Sequence, residues 1–418
     1  MTMSHNASGA FKGATRRAIG LGVVGLGRAF TLMLPTFQAD ERIALAAACD
    51  PFTPARDRFM QDFAAPMYEH VADLCADPRV EAVYIASPHQ FHAEHVALAA
   101  RAGKAVLVEK PMAINLEQCT EIVDIVHQTG IPLVVGHSHS FNGPVLHAAR
   151  LLHRGEFGPV RMLTALNHTD FLYRPRRPEE LDTAQGGGVV FSQAAHQIDI
   201  VRLLLGGMAT SVRAQTGRWD PRRPTEGAYA ALLGFEGGAF ATMVYNGYGH
   251  YDSDELMDGI DEMGRPKDGG AHQHTRARLS RTSEAEEARR KADRNYGGAN
   301  YQAPILAPPS HHQHFGYILV SAQHADLRLT PSGLIVYTDE ERQFLPTPLG
   351  PVPRAEVVDE LWACVRKGDA PIHSAEWARA TVEVCLAMLD SAAGGHEIPL
   401  RHQVSVQIPP QAEPLPPS

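Results

Sequence analysis

Cysteine is rare in this chain of 418 residues. Its five cysteines (Cys49, Cys75, Cys119, Cys364, Cys385) stand apart with no CxxC spacing, which excludes a disulfide framework and a zinc knuckle. An excess of basic residues is also missing. Thirty-eight Lys and Arg face 47 Asp and Glu, for a net charge of -9, so nucleic acid is not an expected partner. No run is long and apolar enough to span a bilayer, so no membrane partner is expected either. The opening MTMSHNASGAFKGATRR has no apolar stretch of the kind a secretory signal needs, and the reading is a cytoplasmic protein. What the chain does have is a large apolar fraction, 44%, enough for two or three domains.

The first part alternates strands and helices. RAIGLGVVGLGRAF is an apolar strand running into glycines, and TLMLPTF then continues as a helix. Gly25, Gly27, Arg28 and Ala29 form a turn that lets the backbone approach a pyrophosphate at a helix N-terminus, although Phe30 takes the place of the usual third glycine. The second strand, IALAAACD, ends at Asp50, placed to hold a ribose hydroxyl, and no Arg follows until Arg56. NAD is therefore expected over NADP. Three more strands (VEAVYIASP, AVLVEKP, IPLVVGHSHSF) alternate with helices, which predicts a parallel sheet with ligands at the carboxyl ends of its strands. That topology gathers Ser87, Pro88, His89, His92, Glu109, Lys110, Pro111 and His137 around the dinucleotide.

GGGVVFSQAAHQIDIVRLLLG, from Gly186 to Gly206, places Ser192, His196 and Asp199 on one face of a predicted helix. An imidazole titrates near neutrality, so His196 can take a hydroxyl proton. Lys110 can stabilise an alkoxide, or act as the base itself if burial lowers its pKa. Ser192, Asp199 and, at its strand end, His137 read as substrate contacts. Just upstream, DFLYRPRRPEELDTAQ carries Arg174, Arg176 and Arg177, a candidate clamp for substrate carboxylates; the alternative is a solvated loop pairing with Glu179, Glu180 and Asp182. His137/His139 and His311/His312/His314 have no carboxylate or cysteine at ligand spacing, so no metal is expected.

The reading divides the chain into a disordered N-terminus (1–16), an NAD-binding Rossmann domain (17–141), a C-terminal substrate and oligomerisation domain (142–405) and a Pro-rich tail (406–418). Within the second domain, about 251–302 reads as a charged, solvated insertion with one helix around SEAEEARRKADR.

The glycine turn, SPHQFHAEH, VEKPMA and GGGVVFSQAAHQID, in that order, resemble the Gfo/Idh/MocA oxidoreductases. The resemblance implies a C-terminal α/β domain with a large, mostly antiparallel sheet that joins subunits into a homodimer or homotetramer. It also implies nicotinamide-linked hydride exchange, with Lys110 and His196 in the active site. The family often carries Asp four residues before that histidine; this chain has Ser192, which speaks against a sugar or polyol dehydrogenase. LGRAFTLMLPTF, GHSHSF, the Asp170–Leu204 stretch, RPTEGAYAALL and RNYGG resemble the bacterial cis-dihydrodiol dehydrogenases of phthalate breakdown. That implies oxidation of an anionic aryl-carboxylate diol to a catechol. An NAD-retaining hydrolase or lyase and a silent cofactor sensor are the more distant alternatives.

Overall fold

The protein is described by a computed structural model covering residues 18–136, 138–268, 273–303, 309–406 and 408. The expectations for 1–16, for His137 and for most of 406–418 lie outside these residues.

The first unit holds strands β1 (Ile19–Val24), β2 (Ile43–Cys49), β3 (Met67–Tyr68), β4 (Ala82–Ile85), β5 (Ala105–Val108) and β6 (Leu133–Val135). They form one sheet in the order β3-β2-β1-β4-β5-β6, parallel throughout. β1, β4, β5 and β6 are buried along their whole length, as expected of strands covered on both faces. The covering helices are α1 (Arg28–Ala39), α2 (Thr53–Phe63), α3 (Val71–Ala76), α4 (His92–Arg101) and α5 (Leu116–Thr129). Strand order reverses between β1 and β4, so a crevice opens beyond Val24 and Ile85.

After α6 (Gly143–His153) comes β7 (Val160–His168), then α7 (Ala195–Leu205), β8 (Ala209–Gly217), β9 (Ala228–Phe235) and β10 (Phe240–Asn246). Two helices follow, α8 (Gln273–Leu279) and α9 (Glu284–Ala292). Strands β11 (Tyr317–Ala322), β12 (Asp326–Thr330), β13 (Gly333–Tyr337) and β14 (Arg342–Pro346) precede α10 (Ala355–Trp362), α11 (Ala375–Gly394) and β15 (Ile398–Pro399). The nine strands of this unit lie in the order β14-β13-β12-β11-β7-β10-β9-β8-β15. All neighbours are antiparallel except β7 and β10. Burial alternates along β7, β9 and β10. One face packs under α6, α7 and α11; the register places Leu232, Phe240, Tyr337 and Phe344 together on the other, where all four are exposed.

The insertion is not a solvated excursion. Its Tyr296 is fully buried between Phe30 and Phe59 and donates to Asp62 Oδ2 at 2.7 Å. Its Glu287 and Lys291 pair with Arg223 and Glu180 of the second unit. Charge dominates its composition, but a few aromatic and paired positions dock it on both units.

Candidate active site

The crevice at the strand reversal is built for close approach. Gly25 has φ +92, and a Cβ there would stand 2.8 Å from the backbone of Ala86 and Ser87, so only glycine fits this turn. The first intrahelical bond of α1 runs from Thr31 N–H to the Gly27 carbonyl at 3.1 Å, and Gly27 supplies no side-chain cap. The N–H groups of Arg28, Ala29 and Phe30 therefore face outward, and the space a Gly27 Cβ would take is open. Asp50, at the end of β2, accepts Leu26 N–H at 2.6 Å and Phe52 N–H at 2.7 Å, which fixes its carboxylate beside the turn. An anion at the start of α1 and a sugar diol at Asp50 fit this donor set, so the residues suit a dinucleotide. Ser87 Oγ lies 2.9 Å from His95 Nδ1, and Pro88 is exposed at the same edge.

His92 has a different role from the one expected. It is completely buried, with Nε2 2.9 Å from the Ser87 carbonyl and Nδ1 3.1 Å from that of Pro111. Burial lowers its pKa to about 4. It is a neutral brace between two loops, not a cofactor contact. Glu109 accepts Tyr84 Oη at 2.5 Å inside the domain, with Arg354 in electrostatic reach.

Lys110 leaves the end of β5 and crosses to the second unit, donating through Nζ to the Ser192 carbonyl at 2.8 Å. Burial lowers its pKa to about 8, against the opposing pull of Glu109. Ser192 lies in a π-helical stretch, Val190–Ala194, that runs into α7; such bulges re-aim backbone groups and often mark functional sites. Its hydroxyl turns back to the Gly188 carbonyl, so Ser192 contributes its carbonyl, not the side chain expected to meet substrate. The preceding glycines serve packing: a Cβ on Gly187 would meet the backbone of Glu179, Glu180 and Asp182 at 2.6–2.7 Å.

His196, 7% exposed, accepts His139 N–H at Nδ1 (3.4 Å). Its ring stands edge-on to His139 (4.8 Å between centroids) and beside Phe315 (5.1 Å). Asp199 lies three residues on in the regular helix α7, but its carboxylate is taken up by α11 and by Ser140 packed against that helix. It accepts Trp377 Nε1 at 2.5 Å, Thr381 Oγ1 at 3.2 Å and the Ser140 hydroxyl. Ser140 in turn lies 2.8 Å from His373 Nε2, whose Nδ1 is 2.9 Å from Glu360. Burial opposes a charge on His373, but Glu360 and Asp199 outweigh it and raise its pKa. Asp199 is thus an interdomain anchor, which corrects its reading as a substrate contact.

The arginine loop is also committed elsewhere. Arg174 Nε donates to Asp170 at 3.0 Å, and its Nη1 reaches Glu262 at 3.5 Å. The guanidinium of Arg176 lies 3.6 Å above the Phe171 ring and donates to the Phe171 carbonyl at 2.8 Å. Burial lowers the Arg176 pKa to about 10, against the pull of Glu180. Arg177 pairs with Glu179 and Glu180 at 3.0 and 3.6 Å. Glu179 and Glu180 are among the partners the alternative reading named; Glu262 comes from the insertion and had no signal in the sequence. Reading along the chain also missed Phe315 beside His196, the π turn and Arg354, a buried arginine in left-handed backbone (φ +61). Among the clustered histidines, His314 Nε2 lies 2.9 Å from the Ile260 carbonyl and His312 Nε2 3.0 Å from that of Thr347.

Residues 19–137 match the oxidoreductase family with an NAD-binding Rossmann fold, and residues 145–257 match the GFO/IDH/MocA C-terminal domain. Among curated proteins, the chain is 44% identical over 372 residues to 1-carboxy-3-chloro-3,4-dihydroxycyclohexa-1,5-diene dehydrogenase of Comamonas testosteroni, covering 88% of this chain and 94% of that one. It is 29% identical over 217 residues to mouse (Mus musculus) trans-1,2-dihydrobenzene-1,2-diol dehydrogenase, covering 51% and 63%. A solved structure from Bordetella bronchiseptica RB50 superposes with a TM-score of 0.84 at 41% identity, covering 91% of this chain and all of that one. With a parallel dinucleotide-binding sheet, a mostly antiparallel second sheet and relatives matched along most of its length, the chain belongs to the Gfo/Idh/MocA family and is an NAD-binding-type dehydrogenase.

Proposed function

We propose that the protein oxidises a ring cis-dihydrodiol carrying carboxylate, with 4,5-dihydro-4,5-dihydroxyphthalate the best candidate, to the corresponding catechol with NAD+. The observation that carries this reading is the half-buried Lys110 held by the carbonyl of Ser192, four residues before the buried His196. It is supported by the 44% identity to a dehydrogenase of a carboxylated dihydroxycyclohexadiene.

A nicotinamide bound at the crevice supplies the acceptor for the hydride that leaves the carbinol carbon. The work of the chain is to orient the diol and move its proton. With Nδ1 occupied by the His139 N–H, His196 carries its proton on Nε2 and donates to the carbinol oxygen. Lys110, neutral above about pH 8, uses one N–H on Ser192 and keeps its lone pair for the hydroxyl proton. The hydroxyketone then loses a ring proton and becomes aromatic, which drives the oxidation forward without a second carboxylate beside His196. Asp50 favours NAD over NADP, because its charge repels a ribose 2'-phosphate. Arg56, the nearest cation along the chain, is turned onto the Asp50 and Pro51 carbonyls at 3.0 and 3.2 Å.

The test is formation of reduced nicotinamide from the phthalate cis-dihydrodiol, with the catechol identified by mass and with myo-inositol and glucose alongside. Turnover of a polyol in preference to the diol would discard the substrate.

The open sheet face, with Leu232, Phe240, Tyr337 and Phe344 all exposed on it, supports a homodimer or homotetramer joined there, since exposed large apolar side chains on one face favour association. Leu232→Asp is expected to convert the assembly to monomer in light scattering. An unchanged mass would place the interface elsewhere.

A further inference from the structure

Arg174, Arg176 and Arg177 are each paired with protein carboxylates. Three other arginines are not. Arg28 at the start of α1, and Arg265 and Arg294 from the insertion, line one cleft of about 1200 Å3. The cleft follows α1 past Thr31, Leu32 and Pro35, and Pro351, Val352 and Pro353 also line it. Among the described residues no Asp or Glu lines it. Arg290, on the same cleft, is held by Glu286 at 2.7 Å, whereas Arg28, Arg265 and Arg294 form no ion pair among the described residues. Burial lowers the pKa of Arg28, and so do the charges of Arg294 and Arg265. Behind them Arg354 is 7% exposed and donates to Gln313, another lining residue, at 3.2 Å. Its charge is felt by Arg28 and Arg265 on one side and by His139, the neighbour of His196, on the other. Gln313 precedes by two residues Phe315, which stands 5.1 Å from His196, so this end of the cleft adjoins the catalytic side. Like charges gathered in a partly desolvated cleft repel one another unless an anion joins them, and the guanidinium fork matches a carboxylate.

We propose that this cleft is the docking site for the carboxylate of the diol, held by Arg28, Arg265 and Arg294. This rests on the reading of the substrate as an anionic diol. The dinucleotide phosphates offer the same anionic oxygens, so the test separates the two sources.

The probe is phthalate, an aryl dicarboxylate with no carbinol to oxidise, titrated calorimetrically into protein saturated with NAD+. NAD+ is titrated separately into free protein. Arg265→Gln and Arg294→Gln are each expected to weaken phthalate binding at least about tenfold while NAD+ affinity stays within about twofold. Added salt weakens phthalate binding more steeply in the wild type than in either variant. Phthalate that binds wild type and variants alike, or fails to bind wild type, overturns the proposal. So does a loss confined to NAD+, which would give the cluster to the phosphates. Arginine-dependent phthalate binding in a protein that oxidises no diol would keep this cleft and remove only the reaction.

Discussion

Lys110→Met lowers kcat with the diol by about 10²–10⁴-fold, the range over which a positioned base contributes, while NAD+ binding persists. Methionine keeps the apolar stem and removes the nitrogen that the Ser192 carbonyl holds at 2.8 Å. The pH dependence gives the sign. Burial lowers the Lys110 pKa to about 8, and the reactive form is the neutral amine. The kcat/KM of the wild type therefore rises about tenfold per pH unit below that value and levels above it. Lys110→Arg, always charged, does not recover activity at any pH. A rate that falls as the pH rises through 8 would make the ammonium the working form and move the base to His196.

Asp199→Ala is expected to destabilise the folded protein by about 3–5 kcal/mol, the usual cost of leaving a buried charged network without one member. The substitution strands Trp377 Nε1, Thr381 Oγ1 and the Ser140 hydroxyl, and leaves His373 with Glu360 alone. Thermal unfolding reads the loss directly. Because the carboxylate faces α11 and not the cleft, the variant at a permissive temperature keeps the wild-type KM for the diol. A raised KM at unchanged stability would return Asp199 to the substrate side.

The contrast between these two residues shows how far the sequence could be read. Lys110 ends a parallel strand, and topology alone carries it to the ligand crevice. The same holds for Gly25, whose turn abuts Ala86, and for Asp50, which closes on Leu26. The parallel sheet was legible in its unbroken apolar runs alternating with helices, whereas the antiparallel sheet was expected from the family resemblance. Asp199 was misplaced because a shared helix face does not say what packs on it: Trp377, Thr381 and Ser140, distant in the chain, occupy its carboxylate. The arginines were misread for another reason. From the insertion, far along the chain, Glu262 pairs with Arg174 and Glu287 accepts the Arg176 backbone N–H, while Arg28, Arg265 and Arg294 meet only in the folded protein. Pairing between distant segments leaves no local pattern. Composition likewise hid the docking of the insertion, which depends on single side chains such as Tyr296.

The central claim is that this site removes a hydride from a ring carbinol carbon of an anionic diol. The most direct measurement follows deuterium from the phthalate cis-dihydrodiol labelled at both carbinol carbons, with NAD+ and wild-type protein. The expected result is one deuterium in the reduced nicotinamide for each catechol formed, with transfer abolished in Lys110→Met. Product without label in the cofactor, and NAD+ recovered unchanged, would contradict the account and point to a reaction in which the dinucleotide stays bound and is regenerated.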